Sequence, residues 1–248
     1  MPEYQKTNFN QEPEREKRFK NLQKLNMIGL AAPHQEILQD LLSVCAAEEV
    51  KKLEEQGGKA EIIEIGTGRG LTTAKILQLC DKAKITSVDN DAGMVAQASE
   101  DLEQHIETGK LEIKIQGALE FLKSFPDSSI SLIVSGFTIH NFKSDYRMDV
   151  LAEIYRVLKP GGEFITADKI MPDEEDFLQK EARWQNAQFD KIYDPIERMK
   201  WIDHYDDDMA PDVIMREDEL IKTMEKIGFS YVSVSDRHHL DALLVARK

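Results

Sequence analysis

Cysteine is nearly absent from this chain, with Cys45 and Cys80 the only two in 248 residues. Both fall in apolar helical patterns, so two buried thiols are expected rather than a disulfide framework or a cysteine metal site. That usage fits a reducing compartment, and the cytoplasm is the expected location. No uninterrupted apolar run approaches the roughly 20 residues that cross a bilayer. The opening "MPEYQKTNFNQEPEREKRFK" also lacks the apolar core of a signal peptide. No membrane partner is therefore expected. Positive charge is scarce too, with 32 Lys and Arg against 46 Asp and Glu and a net charge of -14. Binding to a phosphate backbone needs a positive field, so nucleic acid is not an expected partner, although a local basic groove is not excluded by net charge. The acidic stretch "HYDDDMAPD" could ligate a divalent cation, but a solvated acidic turn is far commoner, and no metal is expected.

What the chain does contain is 41% hydrophobic and 31% charged residues. That is the composition of a globular protein, and the chain is long enough to bury a sizeable core. From residue 59 onward, short β-type runs alternate with helical stretches, the pattern of an α/β fold with a mainly parallel sheet. Strands are expected at 61–65, 84–89, 111–115, 130–135 and 163–168, and helices at 71–79, 92–106, 119–123 and 146–158. In "RVLKPGGEF", Pro160 stops the last of these helices and Gly161-Gly162 allows the turn into the fifth strand. A helix at 217–227 precedes "FSYVSVSD", "RHH" and "LDALLVARK", two β-type runs that suggest an antiparallel pair.

Two regions fall outside this core. Residues 1–58 read as a charged arm followed by a helix over 34–56, with Ile37, Leu38, Leu41, Leu42 and Val44 on its core-facing stripe. Residues 169–215 form an insertion holding both tryptophans, Trp184 and Trp201, beside Phe177, Phe189, Tyr193 and Tyr205. A helical, aromatic flap at the C-terminal edge of a parallel sheet could close a substrate pocket; ordinary packing of a small helical layer is the plainer reading. The domain expectation is an N-terminal helical arm over 1–58 and a cofactor-binding domain over 59–248.

"EIGTGRG" ends the first strand and opens a helix, where glycine permits positive φ and close approach of a ligand to the main chain. A dinucleotide fingerprint needs G-x-G-x-x-G, whereas Leu71 stands where its third glycine belongs. A nicotinamide dehydrogenase is thereby disfavoured. Asp89 closes the second strand about 20 residues on, where a βαβ unit presents a carboxylate to a ribose diol. Asp91 is better read as the cap of the next helix.

Together "EIGTGRG", "VDNDAGMV", "SFPDSSISLIVSGFTIHNF" and "IYRVLKPGGEFI" resemble the S-adenosylmethionine-dependent methyltransferases of the Rossmann-like class, over roughly residues 59–248. The resemblance implies a seven-stranded, mainly parallel sheet with an antiparallel terminal hairpin, and S-adenosyl-L-methionine as cofactor. It implies Glu64, Gly66, Thr67, Gly68 and Gly70 around the cofactor's amino acid part. Asp89 falls on the ribose, with Asn90 and Met94 beside the adenine. Ser135, Gly136 and Phe137 line the cofactor, and His140 stands on the substrate side as the candidate catalytic residue. Such enzymes commonly carry a carboxylate after the third strand. Here the run is Gln116-Gly117-Ala118-Leu119, which leaves adenine contact to Gln116 and the backbone of Gly117 and Ala118.

The function expected is methyl transfer to a small molecule. In-line displacement at a sulfonium methyl needs positioning, exclusion of water and, for some acceptors, a base. Besides His140, the chain offers Asp168, His204 and Tyr205 for that role. The insertion and the tail from "DVIMREDELIKTMEKIGF" also resemble carboxy-S-adenosylmethionine synthases, which need an arginine for the added carboxylate. Arg183 and Arg198 are the candidates, as they also are, with Tyr205, for substrate contact. A non-catalytic module that binds the cofactor is a third alternative. The residues do not fix the oligomeric state.

Overall fold

The computed structural model describes residues 33–58, 60–80 and 82–248. The charged arm expected at the N-terminus lies outside the described residues. The first helix, α1 (Pro33–Glu55), buries Leu38, Leu42, Ala46 and Val50 against the sheet. The buried stripe thus follows the i, i+4, i+8, i+12 row. Ile37 and Val44, assigned to that face from sequence, are 44% and 46% exposed. Each projects about 100° or more away from the row, because successive helical residues rotate by that angle.

The alternating segment forms β1 (Glu61–Ile65), α2 (Leu71–Leu79), β2 (Lys84–Asp89), α3 (Ala92–Asp101), α4 (Glu103–Glu107), β3 (Leu111–Ile115), α5 (Ala118–Lys123) and β4 (Ile130–Gly136). There follow a 3-10 turn (Ile139–Asn141), α6 (Ser144–Val157) and β5 (Leu158–Lys169). Two insertion helices come next, α7 (Glu175–Phe189) and α8 (Pro195–Asp208), then α9 (Glu217–Ile227), β6 (Tyr231–His238) and β7 (Asp241–Arg247). The seven strands lie in the order β3-β2-β1-β4-β5-β7-β6, with β7 antiparallel to both of its neighbours and the other recorded pairings parallel. Buried apolar side chains fill both faces, as strands covered by helices on each side require.

Two boundaries differ most from the sequence expectation. The helix expected over 92–106 breaks at Leu102, whose φ of -115° leaves the helical region. The fifth strand begins at Leu158, five residues early, because the Pro160-Gly161 step is a bulge within it, where the register on β4 shifts between Ile130 and Leu132. The insertion is pinched at its neck: Met171 N–H donates to Met215 O at 2.7 Å and Glu217 N–H to Met171 O at 2.8 Å. Buried Arg147 secures the same place, donating to the carbonyls of Phe142, Val213 and Ile214. Inside the excursion, Asp194 caps α8 by accepting from Ile196 and Glu197 N–H, and Pro195 opens its first turn.

The architecture is therefore an open parallel sheet whose strand order reverses between β1 and β4. The loops after both strands emerge side by side at the C-terminal edge, where a crevice forms in such sheets.

Candidate active site

Glycines shape the turn after β1, yet they do not all make room for a ligand. Gly66, Gly68 and Gly70 have φ of 86°, 50° and 79°. Glycine alone adopts such values without strain. A Cβ at Gly66 would meet Thr138 Oγ1 at 1.9 Å, and one at Gly70 would meet Leu102 Cδ1 at 2.8 Å. At Gly136 it would meet Thr72 Oγ1 at 2.3 Å. Those three clearances serve the protein's own packing, which narrows the sequence expectation. Around Gly68 nothing lies within 4 Å. Gly68 is where a ligand can approach the backbone.

Asp89 is tied to that same residue. Its Oδ2 accepts from Gly68 N–H at 2.8 Å and its Oδ1 from Asp91 N–H at 2.9 Å. Each carboxylate oxygen keeps acceptor capacity for a hydroxyl, so the pair of oxygens suits a ribose diol. Asp91 caps α3 through Met94 N–H, as expected from sequence. Asn90 and Met94, both half-buried, follow along the same edge, and Gly117 leads into α5 with Ala118 buried behind it.

Beneath the turn lies a buried polar knot. Glu64 is fully enclosed, and its Oε2 accepts from Thr73 and Ser87 hydroxyls, each at 2.6 Å. Thr67 and Ser87 hydroxyls are 2.5 Å apart. Burial pushes the Glu64 carboxyl up to about 7, the hydroxyl bonds oppose that, and the Asp89 charge adds to it. Glu64 Oε1 has no hydrogen-bond partner. A buried acceptor left over beside the turn fits a cofactor that brings an ammonium group. Ser135 has a different role from the one the resemblance implied, since it is fully buried and donates to Ile65 O at 2.9 Å. Phe137 sits at φ 51° with its N–H on Ala167 O, which turns the chain sharply after β4.

That turn delivers His140. Its Nδ1 is hydrogen-bonded to Asp168 Oδ1 at the end of β5. Asp168 is fully buried, and its side chain also accepts from Ile139 N–H at 2.8 Å and Lys169 N–H at 2.9 Å. Two main-chain donors and an imidazole thus fix where it points. With Nδ1 as donor, Nε2 is the basic nitrogen of the ring. Asp168, a candidate base on sequence grounds, is thus held by three donors. The contact of Gly66 with Thr138, two residues before His140, brings this pair next to the glycine turn.

The insertion closes over the same edge. Lys169 forms an ion pair with Asp208 at the end of α8, and His204 Nε2 lies 3.8 Å from Asp208 Oδ2. Burial lowers the Lys169 ammonium's pKa, with Asp241 and Asp168 opposing. His239, in the β6–β7 turn at φ 58°, places Nδ1 3.0 Å from Glu181 Oε2 and stacks on Trp184 with ring centroids 3.8 Å apart. Partners 55 and 58 residues away left no local signal for this histidine in the sequence. Tyr205 is half-buried against Phe189, and burial, then Glu181 and Asp206, raise its hydroxyl's pKa. The two arginines lie elsewhere. Arg183 is exposed on α7, and Arg198 donates twice to Ile192 O. Among the described residues no cluster of three potential ligands could hold a metal, and no helix is long and apolar enough to cross a membrane.

Residues 63–166 match the family model described as a methyltransferase domain. A carboxy-S-adenosyl-L-methionine synthase from Shewanella halifaxensis is 26% identical over 178 residues, covering 70% of each chain. A demethylmenaquinone methyltransferase from Symbiobacterium thermophilum is 30% identical over 112 residues, 45% of this chain and 43% of that one. Among solved structures, a putative O-methyltransferase from Nostoc punctiforme aligns at 18% identity with a TM-score of 0.57, over 84% of this chain. The chain spans just over half of that protein's length, 56%. A SAM-dependent methyltransferase from Aquifex aeolicus aligns at 19% identity with a TM-score of 0.51, over 79% of this chain and 88% of that one. With the strand order and the glycine turn already described, residues 63–166 are similar to a methyltransferase domain, and the fold is the Rossmann-like one of these solved methyltransferases.

Proposed function

We propose that this protein transfers a methyl group to a small-molecule acceptor bound between the sheet edge and the insertion, with His140 removing the acceptor's proton. The observation that carries the reading is the His140–Asp168 pair, set beside the glycine turn and under the insertion. The cofactor supplies a methyl carbon already activated by its sulfonium. The chain's own residues have the remaining work. Gly68 and Asp89 would hold the ribose side, and Glu64 Oε1 would accept from the cofactor's ammonium. Asp168 fixes the imidazole so that Nε2, not Nδ1, meets the acceptor, and it stabilises the imidazolium once the proton has moved. The insertion keeps bulk water out, which strengthens each of these contacts.

The similarity to carboxy-S-adenosylmethionine synthases favours a second reading, in which the cofactor itself is the group modified. It requires a cation for the new carboxylate. Arg183 and Arg198 are poorly placed for that: one faces solvent and the other is bound to a main-chain carbonyl. Incubation with S-adenosylmethionine labelled in its methyl group, across hydroxyl, amine, thiol and carbon acceptors, tests the first reading. Label should pass to an acceptor, with S-adenosylhomocysteine as coproduct. In a parallel incubation supplied with a carboxyl donor, label retained on a heavier, carboxylated cofactor would establish the second reading instead.

A further inference from the structure

The inner face of the insertion carries a carboxylate that the protein does not fully use. Glu181, Trp184 and Gln188 recur at i, i+3 and i+7 along α7, and Glu181 and Gln188 are buried. Glu181 is 6% exposed; His239 Nδ1 meets its Oε2, while its Oε1 is buried without a hydrogen-bond partner. The neighbouring acids are differently placed. Asp168 is satisfied by two main-chain N–H groups and His140, and Asp208 is paired with Lys169. A buried carboxylate oxygen with no donor carries a desolvation cost that a bound donor removes.

The surroundings limit what that donor can be. Asn141, next to His140, also has a buried Oδ1 without a partner, a second acceptor that a bound donor would satisfy. An acceptor molecule bearing a carboxylate or phosphate would set a second negative charge against Glu181. Aromatic rings lie at hand: Trp184 one turn along α7, and Tyr205, close enough for the Glu181 charge to raise its hydroxyl's pKa. Carboxylate and aromatic faces together are the usual surroundings of an organic ammonium. No third metal-binding side chain joins Glu181 and His239 among the described residues, which argues against an inorganic cation. The excess of acid over base across the chain, net -14, favours the approach of a cation as well.

We propose that the insertion recognises the methyl acceptor by an organic ammonium group, seated on Glu181 Oε1 beside Trp184 and Tyr205. This rests on the methyltransferase reading and adds the substrate class: a small amine. The ammonium is the anchor, and the atom methylated is the one that reaches His140.

The test is calorimetry on the full chain saturated with S-adenosylhomocysteine, using benzylamine, phenethylamine and butylamine as probes against benzyl alcohol, benzoate and butanol. The amines should bind at least tenfold more tightly than their neutral and anionic counterparts. Glu181→Gln should remove that preference, whereas His239→Gln should keep it. Equal affinity for amine and alcohol, no amine binding, or an unchanged preference in Glu181→Gln would each overturn the proposal. Should Glu181→Gln fail to fold, the comparison of amine with alcohol on the unaltered chain decides. Failure of S-adenosylhomocysteine itself to bind would instead sink the methyltransferase reading, so the two failures are distinguishable.

Discussion

At the level of single residues, the chemistry turns on which groups are held and by what. His140 alone in "FTIHNF" is an uninformative histidine; held by a fully buried Asp168, its ring has a defined orientation. His140→Asn keeps a side-chain donor toward Asp168 but lacks the basic nitrogen. Turnover should fall by roughly 10²- to 10⁴-fold, the range for losing a general base. Affinity for S-adenosylhomocysteine, followed by calorimetry, should stay within about threefold. A variant of unaltered turnover would remove His140 from the reaction. The sequence displayed both residues but not their meeting, because 28 residues separate them and only the pairing of β4 with β5 brings their loops together.

Among the elements, the β1–α2 turn divides into glycines that serve packing and one that serves the site. Gly66→Ala would drive a methyl group into Thr138 at a φ of 86°. Thermal and denaturant stability should therefore drop by about 3 kcal/mol or more. Gly68→Ala meets open space, and only its φ of 50° is penalised. That penalty is roughly 1–2 kcal/mol. Cofactor affinity in Gly68→Ala should nevertheless fall well below that of the parent chain. Denaturation curves and S-adenosylhomocysteine titrations on the same two samples check both halves. Full affinity in Gly68→Ala would mean that the ligand does not approach there. From sequence, the three glycines were indistinguishable. Their positive φ was legible in the strand–turn–helix context, but the neighbours that fill the space, Thr138 at Gly66 and Leu102 at Gly70, come from distant segments.

Across the whole molecule, the insertion is held at its neck by Arg147 and at the end of α8 by the Lys169–Asp208 ion pair. The Asp208 side chain is 1% exposed. Removing its cation strands a buried charge. Lys169→Met should cost about 3 kcal/mol and concentrate the loss in the insertion. Hydrogen exchange by mass spectrometry should show α7 and α8 opening faster, with β1 to β4 unaffected. Uniform protection in the variant would show that the ion pair does not anchor the insertion.

Local sequence was enough to set the α/β class, the bounds of β1, β2, β3 and α2, the terminal antiparallel pair and the glycine turn. Each of these is written in periodicity and turn chemistry within a few residues. It also placed Asp89 one βα unit beyond that turn. Three outcomes came only with the folded chain: which of the α1 apolar residues face inward, which glycine is open, and which histidines have acids for partners. Those outcomes depend on contacts between residues far apart in the chain, and such contacts exist only once the strands have chosen their order.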